Sequence, residues 1–117
     1  MSEEAVREFV ARFYEALDAG DADTASALFP DGTVIHLWSG QTFHTRAEFR
    51  AWFERLYAES AAARRRVVEM RVDGDVAFVE VVLHASHQGQ PQVVRLRHIF
   101  RFEGDRLREV EVSIDPL

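Results

Sequence analysis

The sequence has 117 residues, 47% hydrophobic and 29% charged, which is typical of one globular domain spanning residues 1–117. Its formal charge of −6 argues against a nucleic-acid partner, and the absence of cysteine excludes disulfides and sulfur-based metal sites. The acidic N-terminus is unlike a signal peptide and no apolar run approaches the roughly 20 residues that span a bilayer, so we expect a cytoplasmic protein without a membrane partner.

The first half of the chain predicts three helices and one strand. Ser2 and Gly20 bound an apolar stripe at helical spacing, which fixes the ends of the first helix. Asp21 or Asp23 is expected to cap the second helix. The expected elements are a helix from Ser2 to Ala19, a short helix from Thr24 to Phe29, a strand from Thr33 to Trp38, a loop from Ser39 to His44, and a helix capped by Thr45.

The second half of the chain predicts an antiparallel sheet. Three Gly-containing turn sequences separate four stretches that are rich in strand-forming residues. The strands are expected at Arg65 to Asp73, Val76 to His87, Gln92 to Glu103 and Arg106 to Ile114. Helices followed by a four-strand meander indicate an α+β fold, and a strongly curved sheet around one long helix would leave a cone-shaped cavity.

One histidine lies in an otherwise apolar row of the third long strand. His98 shares its face with Leu96 and Phe100. A neutral imidazole in an apolar wall needs a hydrogen-bond partner, and the first helix offers Tyr14, one turn before Asp18. This group favours proton chemistry on an apolar ligand, with a core histidine bonded for structure alone as the alternative.

Asp18 lies in the last turn of the first helix, where the helix dipole disfavours a carboxylate, so it needs a nearby cation. Strict alternation along the first long strand turns Arg66 inward, whereas a β-bulge near Val68-Glu69 would turn Arg65 inward instead. A buried Asp–Arg pair would be a fixed feature able to stabilise an anionic ligand. A plain surface salt bridge at the cavity rim is the alternative.

Further cavity residues are expected on several elements. His36 alternates with Val34 and Trp38, and apolar aromatic residues would give flat walls suited to an aromatic ligand. No two of the five histidines combine a compact ligand spacing with an adjacent carboxylate, so no metal site is expected. The residues expected to contact a substrate are His36, Trp38, Phe49, Trp52, Leu56, Leu83, Leu96, Phe100 and Val110.

In length and element order the chain resembles the nuclear-transport-factor-2-like fold, which ketosteroid isomerases and SnoaL-type polyketide cyclases share. The likeness rests on Phe13 to Asp21, Ala27 to Phe29 and His98 to Phe102. It implies an α+β cone in which three N-terminal helices pack in a curved, mostly antiparallel sheet that encloses a pocket. His98 stands where these isomerases and cyclases carry a pocket aspartate, a departure that argues against their chemistry.

A closer resemblance, without gaps along the chain, is to the de novo designed luciferases of the LuxSit type. It rests on Phe13 to Asp18, Gly20 to Ala25, Ile35 to Trp38, Trp52 to Leu56, Leu83 to Ala85, and Leu96 with His98. The resemblance implies an artificial, cofactor-independent luciferase. Such an enzyme oxidises a synthetic imidazopyrazinone luciferin, diphenylterazine, with dioxygen as co-substrate, and it releases light and carbon dioxide.

The same resemblance implies the catalytic roles. Arg65, held by Asp18, would stabilise the anion that the luciferin forms on losing a proton. His98, hydrogen-bonded to Tyr14, would orient or accept that proton. No flavin, haem or metal is implied, because the anion reacts with dioxygen directly. Phe100 stands where the resembled luciferases carry a larger aromatic residue, so the pocket is expected to differ in volume.

Two other functions stay open on the sequence. One is a SnoaL-like cyclase, isomerase or hydrolase, and the other is a non-catalytic module that only holds a small molecule. The outward-facing side of the sheet carries Glu80, Arg95, Arg97, Arg101 and Glu111, and this charged surface predicts a monomer.

Overall fold

The computed structural model describes residues 2–59 and 63–115, so positions 1, 60–62 and 116–117 of the predicted domain lie outside the described residues. The described elements are three helices and six strands, with the four long strands together at the end of the chain, which confirms the α+β class. They are α1 (Glu3–Ala19), α2 (Ala22–Ala27), β1 (Val34–His36), β2 (Thr42–Phe43), α3 (Arg46–Glu59), β3 (Arg64–Asp73), β4 (Val76–His87), β5 (Gln90–Glu103) and β6 (Arg106–Asp115).

The ends of α1 are set by two local signals that the sequence contains. The Ser2 side chain accepts a hydrogen bond from the Ala5 N–H, which caps the first turn. Gly20 ends the helix in the left-handed region, with φ of 69°. The Tyr57 ring of α3 lies so close to Gly20 that a Cβ at this position would overlap it. Gly20 therefore both ends α1 and lets α3 pack against it.

The six strands form one mixed sheet in the order β2-β1-β6-β5-β4-β3. Strands β3 to β6 are an antiparallel meander, as predicted, while β1 runs parallel to β6. We call the face that carries Val79, Leu96 and Val110 the inner face, because these residues are buried in one core cluster with α1. The outer face carries the alternate residues, among them Arg101 and Glu109.

The first half of the chain differs from the prediction at three places. Helix α2 begins at Ala22, because Asp21 caps it by accepting from the Thr24 N–H, and it ends at Ala27. Strand β1 ends at His36, because Leu37 and Gln41 close a turn through a backbone hydrogen bond. The predicted loop from Ser39 to His44 contains β2, which pairs with β1. Short elements were mislocated because tertiary pairing defines them more than local sequence does.

No helix within residues 2–59 and 63–115 has both the length and the apolar character needed to cross a bilayer.

Candidate functional site

A cavity of about 360 Å³ lies between α1, α3 and the inner face of the sheet. Its walls are apolar or aromatic except for three polar side chains, Arg65, Gln92 and His98. Its size is that of a small-molecule pocket, roughly 300–1,000 Å³ in other proteins. The residues from the predicted contact set that line it are Trp38, Phe49, Trp52, Leu56, Leu83, Leu96 and Val110. That they contact a substrate stays a prediction.

His36 does not line this cavity, so its placement from the sequence was wrong. Ile35 and Leu37 on either side of it are buried and line the cavity, so the alternation of β1 turns His36 outward. Its Nε2 lies 3.4 Å from an Oε2 of Glu109 on the outer face. The sequence prediction failed because Trp38 lies in a turn beyond β1, where the strand alternation no longer applies.

Phe100, which the sequence predicts to contact a substrate, does not line the cavity either. It is fully buried and lies in the core beneath the cavity, not in the cavity wall. Its ring centroid is 5.8 Å from that of Phe13 and 5.9 Å from that of His98. Phe100 therefore supports the His98 ring from below. The inner-facing row of β5 continues past the end of the cavity, and sequence alternation does not show where the cavity stops.

His98, which lines the cavity, forms a buried pair with Tyr14 behind it. The Tyr14 hydroxyl lies 3.0 Å from His98 Nδ1, although the two residues are 84 positions apart in sequence. Burial lowers the pKa of His98 to about 3, and the positive charge of Arg65 acts in the same direction. Burial raises the pKa of Tyr14, so the phenol keeps its proton at neutral pH. Both rings are therefore uncharged.

The hydrogen bond between these two rings determines the tautomer of His98. The buried hydroxyl proton of Tyr14 needs an acceptor, and His98 Nδ1 is its partner among the described residues. Nδ1 therefore accepts, and the proton of the neutral imidazole lies on Nε2. Because His98 lines the cavity, the Nε2–H is the ring group available to a ligand.

Arg65 and Asp18 form the second pair of the site. Arg65 donates from Nη1 to Asp18 Oδ1 at 2.9 Å, and its backbone N–H donates to both Asp18 oxygens at 3.2 Å. The Arg65 side chain is only 7% exposed, whereas that of Asp18 is 25% exposed at the rim. The carboxylate at the end of α1 thus has the cation that it needs. Among the described residues, Asp18 is the acceptor for the Arg65 guanidinium, and Arg65 itself lines the cavity.

A β-bulge selects Arg65 over Arg66. The pairing of β3 with β4 shifts register between Val67 and Glu69, as the sequence allowed but could not decide. Arg65 pairs with Leu83 and lines the cavity, whereas Arg66 is exposed on the other side of the strand. The bulge thus places one arginine of the sequence inside and leaves its neighbour outside.

Part of the cavity wall was missed by the sequence analysis. The missed residues on the sheet lie on the same face as Leu83, Leu96 and Val110, at alternate positions further along the same strands. That alternation was the signal that could have found them. The lining residues not predicted are Phe13, Leu17, Phe29, Ile35, Leu37, Phe53, Ala85, Gln92, Val94, Val112 and Ile114.

Tyr14 and Asp18 are not part of the cavity lining. They lie behind His98 and Arg65 and hold them by the hydrogen bonds described above. Among residues 2–59 and 63–115, no group of three His, Asp or Glu side chains is arranged to hold a metal ion. Arg65 and the Nε2–H of His98 are N–H donors in the cavity wall, which suit a ligand anion.

The sequence matches one protein family model, the SnoaL-like domain, over residues 10–110. A comparison with curated proteins found no match.

Several solved structures share the fold at low sequence identity. An NTF2-like protein of unknown function from Burkholderia pseudomallei is 21% identical, with a TM-score of 0.85 over 98% of this chain and 92% of that one. A protein with a ketosteroid isomerase-like fold from Catenulispora acidiphila, in complex with trimethylamine, is 18% identical, with a TM-score of 0.83 over 91% and 84%. IdmH, a proposed polyketide cyclase from Streptomyces antibioticus, is 20% identical, with a TM-score of 0.81 over 93% and 91%. At these identities the likeness shows the fold alone.

Proposed function

The chain belongs to the SnoaL-like domain family, and from that premise we propose that its cavity is the active site of a cofactor-free enzyme acting on a flat, apolar small molecule. The chemistry is the loss of a proton from this substrate and the stabilisation of the anion that remains. The observation that carries the proposal is Arg65, a buried cation that lines an otherwise apolar cavity. In such surroundings a fixed positive charge stabilises a developing anion more than it would in water.

Within this class of reaction we propose the luciferase reaction as the first candidate. Its support is the gapless sequence resemblance, together with two hydrogen-bonded pairs, Tyr14 with His98 and Asp18 with Arg65, in which His98 and Arg65 line the cavity. The luciferin loses a proton, and its anion adds dioxygen and closes to a dioxetanone. Loss of carbon dioxide then leaves an excited amide that emits light. The luciferin supplies the electrons that dioxygen accepts, so no cofactor is needed.

The geometry favours an orienting role for His98 over that of a proton acceptor. With its Nδ1 bonded to Tyr14 and a pKa of about 3, the imidazole holds a proton only weakly. Its Nε2–H instead donates to the substrate anion beside Arg65. In this proposal the proton leaves to water through the cavity mouth.

The comparisons favour a second candidate, a SnoaL-like cyclase, isomerase or hydrolase. The family match and the proposed polyketide cyclase among the structural neighbours support it more directly than they support light emission. An enolate formed from a polyketide carries the same charge as a luciferin anion, so Arg65 and His98 would stabilise it in the same way. His98 in place of the expected pocket aspartate counts against it.

Light output on mixing the purified protein with diphenylterazine in air tests the two candidates. We expect emission that falls by about 100-fold or more in Arg65→Ala and His98→Ala. The matched controls are Arg66→Ala and His36→Ala, which change the same residue types on the outer side of their strands and should keep the emission.

A folded protein that stays dark would contradict the luciferase candidate. Turnover of a polyketide or epoxide substrate would then support the cyclase and hydrolase candidates. A change in diphenylterazine fluorescence without oxygen uptake would indicate a binding module that performs no chemistry.

A further inference from the structure

The polar side chains that line the cavity include one cation, one neutral imidazole and no carboxylate among the described residues. Arg65 has only N–H groups, and the hydrogen bond from Tyr14 to Nδ1 leaves His98 with its Nε2–H toward the cavity. No Asp or Glu lines the cavity among the described residues, and Gln92 is the remaining polar lining side chain. Arg65 and His98 therefore offer N–H donors to an anionic ligand, and the amide of Gln92 is the lining group that can both donate and accept.

The remaining walls suit a flat ring system. Phe49, Trp52 and Phe53 line one side from α3, and Leu96 and Val110 line the other side from the sheet. Flat, apolar walls favour aromatic ligands over flexible or branched ones.

We propose that this cavity binds flat aromatic carboxylates, with one carboxylate oxygen on the Arg65 guanidinium and the other on the Nε2–H of His98. This rests on the proposed function in one respect, the stabilisation of a ligand anion by Arg65, and it extends that function to stable anions that undergo no reaction. Asp18 compensates the charge of Arg65. The preference for a carboxylate over a neutral ligand therefore comes from two charge-assisted hydrogen bonds inside an apolar cavity. Such acids would occupy the same site as the substrate.

Isothermal titration of the wild-type protein with 2-naphthoate and with 2-naphthamide tests this inference. The two probes share ring system and size, but the amide adds N–H donors and lacks the charge. We expect naphthoate to bind at least about tenfold more tightly, since charge-assisted hydrogen bonds are about twice as strong as neutral ones. Equal affinities for the two probes would overturn the proposal, as would tighter binding of the amide.

Variants locate the binding group. The double variant Asp18→Asn with Arg65→Gln removes both charges together, so that no unpaired charge is left in the wall, and it should abolish the preference for naphthoate. Arg66→Gln, on the same strand but exposed, is the matched control and should keep the preference. A preference retained in the double variant would refute the assignment to Arg65.

The tautomer of His98 gives a readout independent of stability. The ¹⁵N shifts of its imidazole should show a proton on Nε2 in the wild type. In Tyr14→Phe, which removes the donor to Nδ1, the Nε2–H form should no longer be favoured and the preference for naphthoate should fall. A proton found on Nδ1 in the wild type would refute the role of the His98 Nε2–H as a donor to the ligand.

The two proposals can fail separately. Light emission without a preference for naphthoate would refute this inference and leave the luciferase proposal standing. Selective naphthoate binding in a protein that turns over no substrate would support this inference and refute the enzymatic function.

Discussion

Two arginine–carboxylate pairs of this protein have nearly the same geometry and opposite surroundings. Arg65 lies 2.9 Å from Asp18 at the cavity, and Arg101 lies 2.8 Å from Glu109 on the outer face. The Arg65 side chain is 7% exposed, whereas that of Arg101 is 38% exposed. Water screens the outer pair, so it adds little to stability, while the inner pair must compensate the cost of burying a guanidinium. Distance alone therefore does not show what an ion pair does.

Two histidines repeat the same contrast. His98 is buried against Tyr14, and burial depresses its pKa to about 3. The His36 side chain is 42% exposed and faces Glu109. On the inner face, burial and the hydrogen bond from Tyr14 keep His98 neutral and in one orientation. A fixed donor of this kind suits the recognition of a ligand. The outer face carries the same residue types as a hydrated surface.

Replacing the arginine of each pair should give the largest change in the free energy of unfolding, and this change should differ between Arg65 and Arg101. Arg65→Met leaves the partly buried carboxylate of Asp18 without a cation, so we expect a loss of about 3 kcal/mol in the free energy of unfolding. Arg101→Met should cost about 1 kcal/mol or less. Urea unfolding of both variants measures the difference. Equal losses would show that burial does not distinguish the pairs.

Acid should destabilise the protein through His98. The pKa of this histidine is about 3 when folded and 6.5 when unfolded, so only the unfolded chain gains a proton between these values. The contribution of neutral His98 to the free energy of unfolding is therefore complete above pH 6.5. Below that pH it falls by about 1.4 kcal/mol per pH unit. Between pH 6.5 and 5 the wild type should lose about 2 kcal/mol more than His98→Gln does.

The control for this pH dependence is His36→Gln, which keeps the buried His98 and should keep the steep slope. Urea unfolding at several pH values gives the slopes of all three proteins. Parallel slopes for the wild type and His98→Gln would contradict the burial of a neutral histidine.

At the cavity mouth, Trp38 should matter for a ligand more than for the fold. It lines the cavity although it is 50% exposed, so its removal takes away ring contacts with little loss of core packing. We expect Trp38→Ala to lower stability by about 1 kcal/mol or less and to weaken binding of an aromatic ligand several-fold. Calorimetry with 2-naphthoate and urea unfolding measure the two effects. A large loss of stability with unchanged affinity would place Trp38 in the core.

The outer face is expected to remain hydrated and therefore not to join two copies of the chain. Several of its arginines pair with carboxylates of the same chain, among them Arg97 with Glu80 and Asp115, and such a charged surface favours hydration over association. Light scattering should give a mass near 13.4 kDa. A mass near twice that value would show that the outer face, or another surface, joins two copies.

Much of the site followed from the sequence because it depends on periodicity. His98 in its apolar row and the Tyr14–Asp18 spacing each follow from alternation or helical spacing within one element. His36 and Phe100 were misplaced for the complementary reason. A period shows which residues share a face, but it does not show where the strand ends or where the cavity gives way to the core.

The sequence by itself determined the long elements, the α+β class and which polar residues face the cavity side of their elements, because helix caps, turns and periodicity act between near neighbours. Only the tertiary structure decided which arginine faces inward, which nitrogen of His98 accepts from Tyr14, and where the cavity stops. Asp18 and Arg65 are 47 positions apart, and Tyr14 and His98 are 84 positions apart. Contacts over such separations depend on strand register, and a single bulge in β3 changes that register by one residue, which moves every following side chain to the other face.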